Sequence, residues 1–135
     1  MAKIIIEGNP VAKGRPRFTK RGFAYTPAKT KSAEEAIAWA WKEITKNNIY
    51  LENKPIRLHI DFYREIPKST SKKRKIMMEN KEILPTVKPD IDNYLKLVLD
   101  GLNGIAYKDD NLICDLRTRK FYSENPRIEI EMSEI

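Results

Sequence analysis

The chain has 135 residues and a mass of 15.8 kDa, enough for one domain that buries about two-thirds of its unfolded surface and too short for two. Hydrophobic residues make up 41% of it and charged residues 33%, which excludes an intrinsically disordered chain. With 26 Lys and Arg against 19 Asp and Glu, the net charge of +7 points to polyanionic partners, nucleic acid before an anionic membrane surface.

Residues 3–7 (KIIIE) read as a buried strand. No apolar run approaches the roughly 18 residues that span a bilayer, and no apolar leader precedes a small-residue cleavage site, so the expectation is a cytoplasmic protein without a membrane partner. Residues 9–31, punctuated by Pro10, Gly14, Pro16, Gly22 and Pro27, read as a loop too long to be a simple connector. Ser32 and Glu35 have the spacing of a capping box, and Ala33, Ala36, Ile37, Ala40, Trp41 and Ile44 follow at helical intervals, which predicts a helix over about 33–47. Trp39 lies off that stripe.

From Ile56 the period changes to two. Ile56, Leu58, Ile60 and Phe62 share one face and Arg57, His59, Asp61 and Tyr63 the other, so a strand runs to near Pro67. Residues 71–83 are a weaker helical segment, and Pro85 and Pro89 enforce an extended passage after it. Asp90 occupies an N-cap position before Ile91, Leu95, Val98, Leu99 and Leu102, which predicts a helix down to Gly104. Leu112, Cys114, Leu116 and Thr118 alternate with Ile113, Asp115, Arg117 and Arg119; after a turn at 123–126, Ile128, Ile130 and Met132 alternate with Arg127, Glu129 and Glu131. These last two strands are expected to pair as a hairpin. The order β-α-β-α-α-β-β predicts a single α+β domain over residues 1–135, a mixed sheet covered by helices.

The chemistry concentrates between Thr86 and Asp110, which hold Asp90, Asp92, Asp100, Asp109 and Asp110. Asp90 and Asp92 flank the first turn of a helix, where the backbone dipole favours negative charge. At 100° per residue, Asp92, Lys96 and Asn103 lie within about 40° of one another at the border of the apolar stripe. Asp109 and Asp110 follow a short turn from which the chain can fold back toward the helix start and bring the carboxylates together. With one cysteine and one histidine, the usual zinc sets and any internal disulfide are excluded, so a metal here must be held by oxygen. Mg²⁺ takes that kind of site: Asp90, Asp92 and one of Asp109 and Asp110 as ligands, with Lys96 one turn on to stabilise charge on phosphate or orient water. The plainer alternative makes Asp90 a cap, Asp92 and Lys96 an ion pair worth about 0.2–0.5 kcal/mol, and Asp109 and Asp110 a polar turn.

Two basic clusters indicate the substrate. Lys13, Arg15, Arg17, Lys20, Arg21, Lys29 and Lys31 occur with no acidic residue among them, interleaved with Phe18, Phe23 and Tyr25, a pattern suited to a phosphate backbone and stacked bases. The alternative is a solvated loop whose aromatics anchor it to the core. Lys68, Lys72, Lys73, Arg74 and Lys75 fall at the start of a predicted helix, where cations oppose the dipole and a docked phosphate relieves the conflict. The alternative there is a frayed, solvated helix start. His59 reads as an outward strand residue, Cys114 as a small apolar one, and Asp115 as a further acidic member of the site or, more simply, as the ion-pair partner of a strand neighbour such as Arg117.

The run Lys88-Pro89-Asp90-Ile91-Asp92-Asn93-Tyr94-Leu95-Lys96, followed by Asp100-Gly101-Leu102-Asn103-Gly104 and Tyr107-Lys108-Asp109-Asp110-Asn111, strongly resembles the signature of the RusA family of Holliday junction resolvases. Val11-Ala12-Lys13-Gly14-Arg15-Pro16-Arg17-Phe18, with Tyr25-Thr26-Pro27, is similar to the basic leader block of that family's phage and prophage branch. Over residues 32–85 only the order of elements matches. The resemblance implies a homodimer that binds four-way junction DNA in recombination and repair and nicks two opposing strands symmetrically. It implies Mg²⁺, with Mn²⁺ as a substitute, bound by Asp90, Asp92 and Asp110, and Lys96 assisting catalysis. Lys13, Arg15, Arg17, Lys20, Arg21, Lys72, Lys73 and Arg74 are then the expected DNA contacts. The competing reading from charge alone is a non-catalytic nucleic-acid-binding module.

Overall fold

The computed structural model describes residues 2–14, 17–25, 27–46 and 49–135, the side chain of Arg17 excepted. Its elements are β1 (Ala2–Glu7), β2 (Arg17–Phe18), β3 (Ala24–Tyr25), α1 (Ala28–Thr45), β4 (Ile56–Glu65), α2 (Lys72–Glu79), α3 (Ile91–Leu102), a 3-10 turn (Asp110–Leu112), β5 (Ile113–Ser123) and β6 (Arg127–Glu134). This is the expected α+β order with a small hairpin, β2–β3, added inside the first loop.

The main sheet has the order β1-β6-β4-β5, mixed as expected: β4 runs parallel to β5 and antiparallel to β6, and β6 is antiparallel to β1. β5 and β6 therefore do not pair as a hairpin. β4 lies between them because it carries the most apolar face. Ile56, Leu58, Ile60 and Phe62 are all fully buried, and each such side chain contributes about 1.5–3 kcal/mol only if neighbours cover it on both flanks. The connection at 124–126 steps across the end of β4, where Tyr63 is opposite Arg127 and Glu65 is opposite Ser123.

α1 and α3 cover the β4 core face. α1 starts one turn earlier than the capping box suggests. Pro27 supplies a φ of −55° at the N-cap, the Lys31 N–H bonds the Pro27 carbonyl at 3.1 Å, and the Thr30 hydroxyl, buried, accepts from the Gly14 N–H at 2.9 Å. Ser32 is thus inside the helix. Trp41 is completely buried and donates its Nε1–H to the Ile49 carbonyl at 3.0 Å, whereas Ile44, placed on the buried stripe by periodicity, is exposed.

The buried face of α3 is Tyr94, Leu97, Val98, Gly101 and Leu102, with Ile91, Leu95 and Leu99 half-buried on its flank. That face is turned relative to the expected stripe because Gly101 admits α1. A Cβ there would meet the Glu34 carbonyl oxygen at 3.1 Å and Ile37 at 3.2 Å. A helical glycine costs about 1 kcal/mol, which the close approach of α1 offsets. The rotation puts Asp92, Lys96 and Asn103 on an exposed ridge opposite the core rather than at its border.

The other sheet face is polar and laced with cross-strand ion pairs. Arg119 holds Asp61 through two hydrogen bonds of 2.8 and 2.7 Å, and Arg57 holds Asp115 at 2.7 Å. Asp115 takes Arg57 and not Arg117 because Arg57 lies directly opposite it across the ladder, closer than its own neighbour two residues on. Among the described residues, no helix is long and apolar enough to cross a membrane.

Candidate active site and nucleic-acid interface

The N-terminus of α3 is held from four directions. Tyr94 stacks on Phe62 of β4, with ring centroids 5.1 Å apart. The Lys13 N–H donates to the Asn93 carbonyl at 2.9 Å. Arg64, just past Phe62 on the same face of β4, donates Nη1–H to the Lys88 carbonyl at 2.8 Å. Lys120, opposite Phe62 on β5, donates from Nζ to the carbonyls of Val87 at 3.1 Å and Pro89 at 3.2 Å. Two cations at the carboxyl ends of parallel strands thus hold the three consecutive carbonyls that precede Asp90.

Sequence reading missed this clamp, although a signal existed. Arg64 continues the buried Ile60–Phe62 face, and Lys120 continues the face of Leu116 and Thr118; a cation at an apolar-face position asks for a buried acceptor.

Asp90 has N-cap geometry but its carboxylate makes no capping bond, and Asp92 and Lys96 form no ion pair with each other or with any other described residue. All three are exposed. The structural jobs that would explain them away, a cap and an i,i+4 pair, are therefore not performed.

The later aspartates sit at the other end of α3. The Asp110 N–H donates to Asn103 Oδ1 at 3.1 Å and to Asp109 Oδ1 at 2.8 Å, and Asn103 is the C-cap of the helix. The turn between is locked by Gly104, at φ +76°, and by buried Tyr107, whose hydroxyl donates to the Leu99 carbonyl at 2.9 Å. Burial, reinforced by the charges of Asp110, Asp100 and Asp109, pushes the Tyr107 phenol well above its ordinary value, so it stays a neutral donor.

The expected fold-back onto the helix start does not occur. α3 has 12 residues, a rise of roughly 18 Å, and that length separates Asp90 and Asp92 from Asp110 within one chain. Among the described residues, no three carboxylate, histidine or cysteine side chains are close enough to hold one metal ion. The donor chemistry, free carboxylate oxygens, fits a hard cation. The placement does not complete a three-carboxylate site in one chain.

Asp110 has its pKa raised above the ordinary carboxylate value, first by burial and then by the hydrogen bond and charge of Asp109 and the charge of Asp100. A raised folded-state value means that the proton is held more tightly in the folded chain. The associated stability is present at low pH and is lost as pH rises through that value. In a carboxyl-detected NMR titration of the metal-free protein, Asp110 is expected to titrate above the usual range and Asp109→Asn to bring it down partway, since burial remains. An Asp110 midpoint unmoved by Asp109→Asn would show that the neighbour does not act on it.

The described basic residues separate into tethered and exposed ones. The Lys13 ammonium is bracketed by Glu34 and, at 3.0 Å, Asp100; burial lowers its pKa, but the two carboxylates outweigh that and hold it above the ordinary lysine value. Lys13, expected on DNA, is thus a strut joining the first loop to α1 and α3. Lys20, Arg21, Lys29 and Lys31 are exposed. Arg15 lies outside the described residues, as does the Arg17 side chain. Lys72, Lys73 and Arg74 form the exposed first turn of α2, as expected, with the Ser71 hydroxyl accepting from the Arg74 N–H at 3.3 Å.

Comparison with known proteins agrees with the signature. The family model described as Endodeoxyribonuclease RusA matches residues 7–133. The chain is 40% identical over 138 residues to the uncharacterized protein YqaN of Bacillus subtilis (strain 168), covering 98% of this chain and 96% of that one. It is 33% identical over 85 residues to the crossover junction endodeoxyribonuclease rusA of Lactococcus phage r1t, covering 62% of this chain and 58% of that one. With a family match that spans nearly its whole length, the chain belongs to the RusA endodeoxyribonuclease family.

Proposed function

We propose that this protein is a Mg²⁺-dependent endodeoxyribonuclease that resolves four-way DNA junctions by paired symmetric nicks, as a homodimer, in DNA recombination and repair. The observation that carries the reading is the pair Asp90 and Asp92. They are clamped in place yet, among the described residues, free of caps and ion pairs, at a helix end on a chain with a strongly basic first loop.

The distance along α3 gives the dimer a chemical purpose. A two-fold axis near the middle of the exposed ridge would bring the N-terminus of one α3 beside the C-terminus of the other. Asp90 and Asp92 of one chain would then meet Asp110 of the partner subunit, completing a set of three carboxylates twice per dimer. Half-buried Leu95 and Leu99 beside that ridge provide apolar surface for the contact.

Hydrolysis joins a water oxygen to phosphorus and releases the sugar 3′ oxygen. A bound divalent cation would offset the carboxylate charge against the phosphate and would polarise the attacking water and a phosphoryl oxygen. Asp90 and Asp92 would hold it, at a helix end where the backbone dipole favours negative charge. Lys96, one turn along the ridge, places an ammonium where charge accumulates on the phosphoryl oxygens. Lys20, Arg21 and the first turn of α2 contribute phosphate contacts on the arms.

The test is nicking of a synthetic four-way junction and of a linear duplex, with Mg²⁺, with Mn²⁺ and with a chelator. Symmetric nicks in the junction alone, with either cation and abolished by the chelator, are expected. Salt-sensitive binding with no cation-dependent product would make the protein a binding module instead.

A further inference from the structure

The β2–β3 hairpin is not part of the core. Phe18 is 71% exposed, Phe23 69% and Tyr25 47%, so these aromatics do not anchor the first loop. The hairpin is nevertheless well formed. Phe18 pairs with Ala24, the Thr19 N–H donates to the Phe23 carbonyl at 2.8 Å, and the Gly22 N–H donates to the Thr19 carbonyl at 2.9 Å. The Thr19 hydroxyl accepts from the Phe23 N–H at 3.1 Å. Gly22, at φ +84°, allows the tight reversal, and Lys20 and Arg21 occupy the tip.

Register decides what the ribbon presents. Phe18 lies opposite Ala24 and shares its face; Phe23 and Tyr25, on either side of Ala24, point to the other. Both faces of a thin two-stranded ribbon therefore carry an exposed aromatic ring. Single exposed apolar residues are ordinary, but a ribbon with rings on both sides has no face to lay on a core. Such an element suits insertion, with something flat stacked on each side.

Charge selects the occupant. No acidic residue occurs between Glu7 and Glu34, and the tip is cationic, which favours a polyanion over a second copy of a chain with net charge +7. The root is fixed beside the aspartates: Gly14 bonds Thr30 at the start of α1, and Lys13 bonds Asn93 in the first turn of α3.

We propose that the β2–β3 hairpin is a wedge that enters the branch point of a DNA junction and stacks Phe18 and Phe23 on nucleobases unpaired there. Lys20 and Arg21 hold the flanking phosphates. This rests on the junction-resolving reading and extends it: the wedge distinguishes a branch point from continuous duplex, because only a branch point offers bases that part at small cost.

The experiment places 2-aminopurine at the branch point of a synthetic junction, or within one arm as a control, and adds wild-type protein or the Phe18→Ala/Phe23→Ala double variant. Both side chains lie outside the core, and an unchanged thermal melt verifies folding. Wild-type protein is expected to raise the branch-point fluorescence and leave the arm probe unchanged. The double variant is expected to lose that rise and to lower the preference for junction over duplex about 5- to 100-fold, the scale of one or two base stacks, with duplex binding unaltered. Phe18→Trp/Phe23→Trp is expected to restore both. A double variant that keeps the fluorescence rise and the preference overturns the proposal while leaving junction nicking intact. A double variant that dissociates into monomers in sedimentation makes the hairpin a subunit contact and also overturns it. A wild-type protein with no preference for junctions overturns the functional reading and the wedge together.

Discussion

Asp90→Asn and Asp110→Asn are each expected to abolish junction nicking, yet an equimolar mixture of the two, allowed to exchange subunits, is expected to regain it on one strand only. Loss of a ligand to a cation that supplies several kcal/mol of transition-state stabilisation corresponds to roughly a 10³-fold fall in rate. In the mixed dimer, one site combines both lesions. The other retains Asp90 and Asp92 from one chain and Asp110 of the partner subunit, so it is whole. The arithmetic differs if each chain builds its own site, because every site in the mixture then carries one lesion and nothing is recovered. Random association makes half of the dimers mixed, so single-strand nicking at a substantial fraction of the wild-type rate is the expected product. Its absence, with dimers shown to have exchanged, would sink the shared site and leave the separation of the aspartates along α3 without a chemical use.

Lys120→Met is expected to raise the Mg²⁺ concentration for half-maximal nicking by about 10- to 100-fold, the cost typical of losing a group that orients a metal ligand. The sign makes this result informative. Removing a positive charge next to a carboxylate site strengthens cation binding by simple electrostatics, so weaker binding reports lost geometry. Among the described residues, Lys120 hydrogen-bonds to the carbonyls of Val87 and Pro89, and without it the segment before Asp90 keeps the Arg64 bond to Lys88. Junction affinity measured without divalent cation is expected to stay within about two-fold of wild type, and Lys120→Arg to recover part of the Mg²⁺ response. If Lys120→Met instead weakens junction binding and leaves the Mg²⁺ midpoint in place, Lys120 is a phosphate contact and the clamp is misassigned.

Both experiments concern relations invisible in a linear reading. Asp90, Asp92 and Lys96 were legible because helical spacing places them, and a cap position and an i,i+4 step are local facts. Whether those positions are occupied by structural work is not local. That Asp90 has no capping bond, and that Asp92 and Lys96 have no ion-pair partner among the described residues, emerges only from the folded surroundings. Lys13 shows the opposite case: by composition one more cation of a basic loop, it is held by Glu34, 21 residues away, and by Asp100, 87 residues away.

The central strand, the three helices and the mixed α+β character follow from periodicity, because period two and period 3.6 are properties of neighbours along the chain. The place of β4 between β5 and β6 does not, since adjacency in sequence favours a hairpin and only competition for the most apolar face displaces it. The rotation of α3 depends on Gly101 accepting α1, a contact between segments more than sixty residues apart. By itself the sequence determined a basic chain with aspartates grouped around one helix. The tertiary structure decided that these aspartates stand at opposite ends of it, because a 12-residue helix is a rigid spacer of roughly 18 Å and the turn after it, locked by Gly104 and Tyr107, does not fold back.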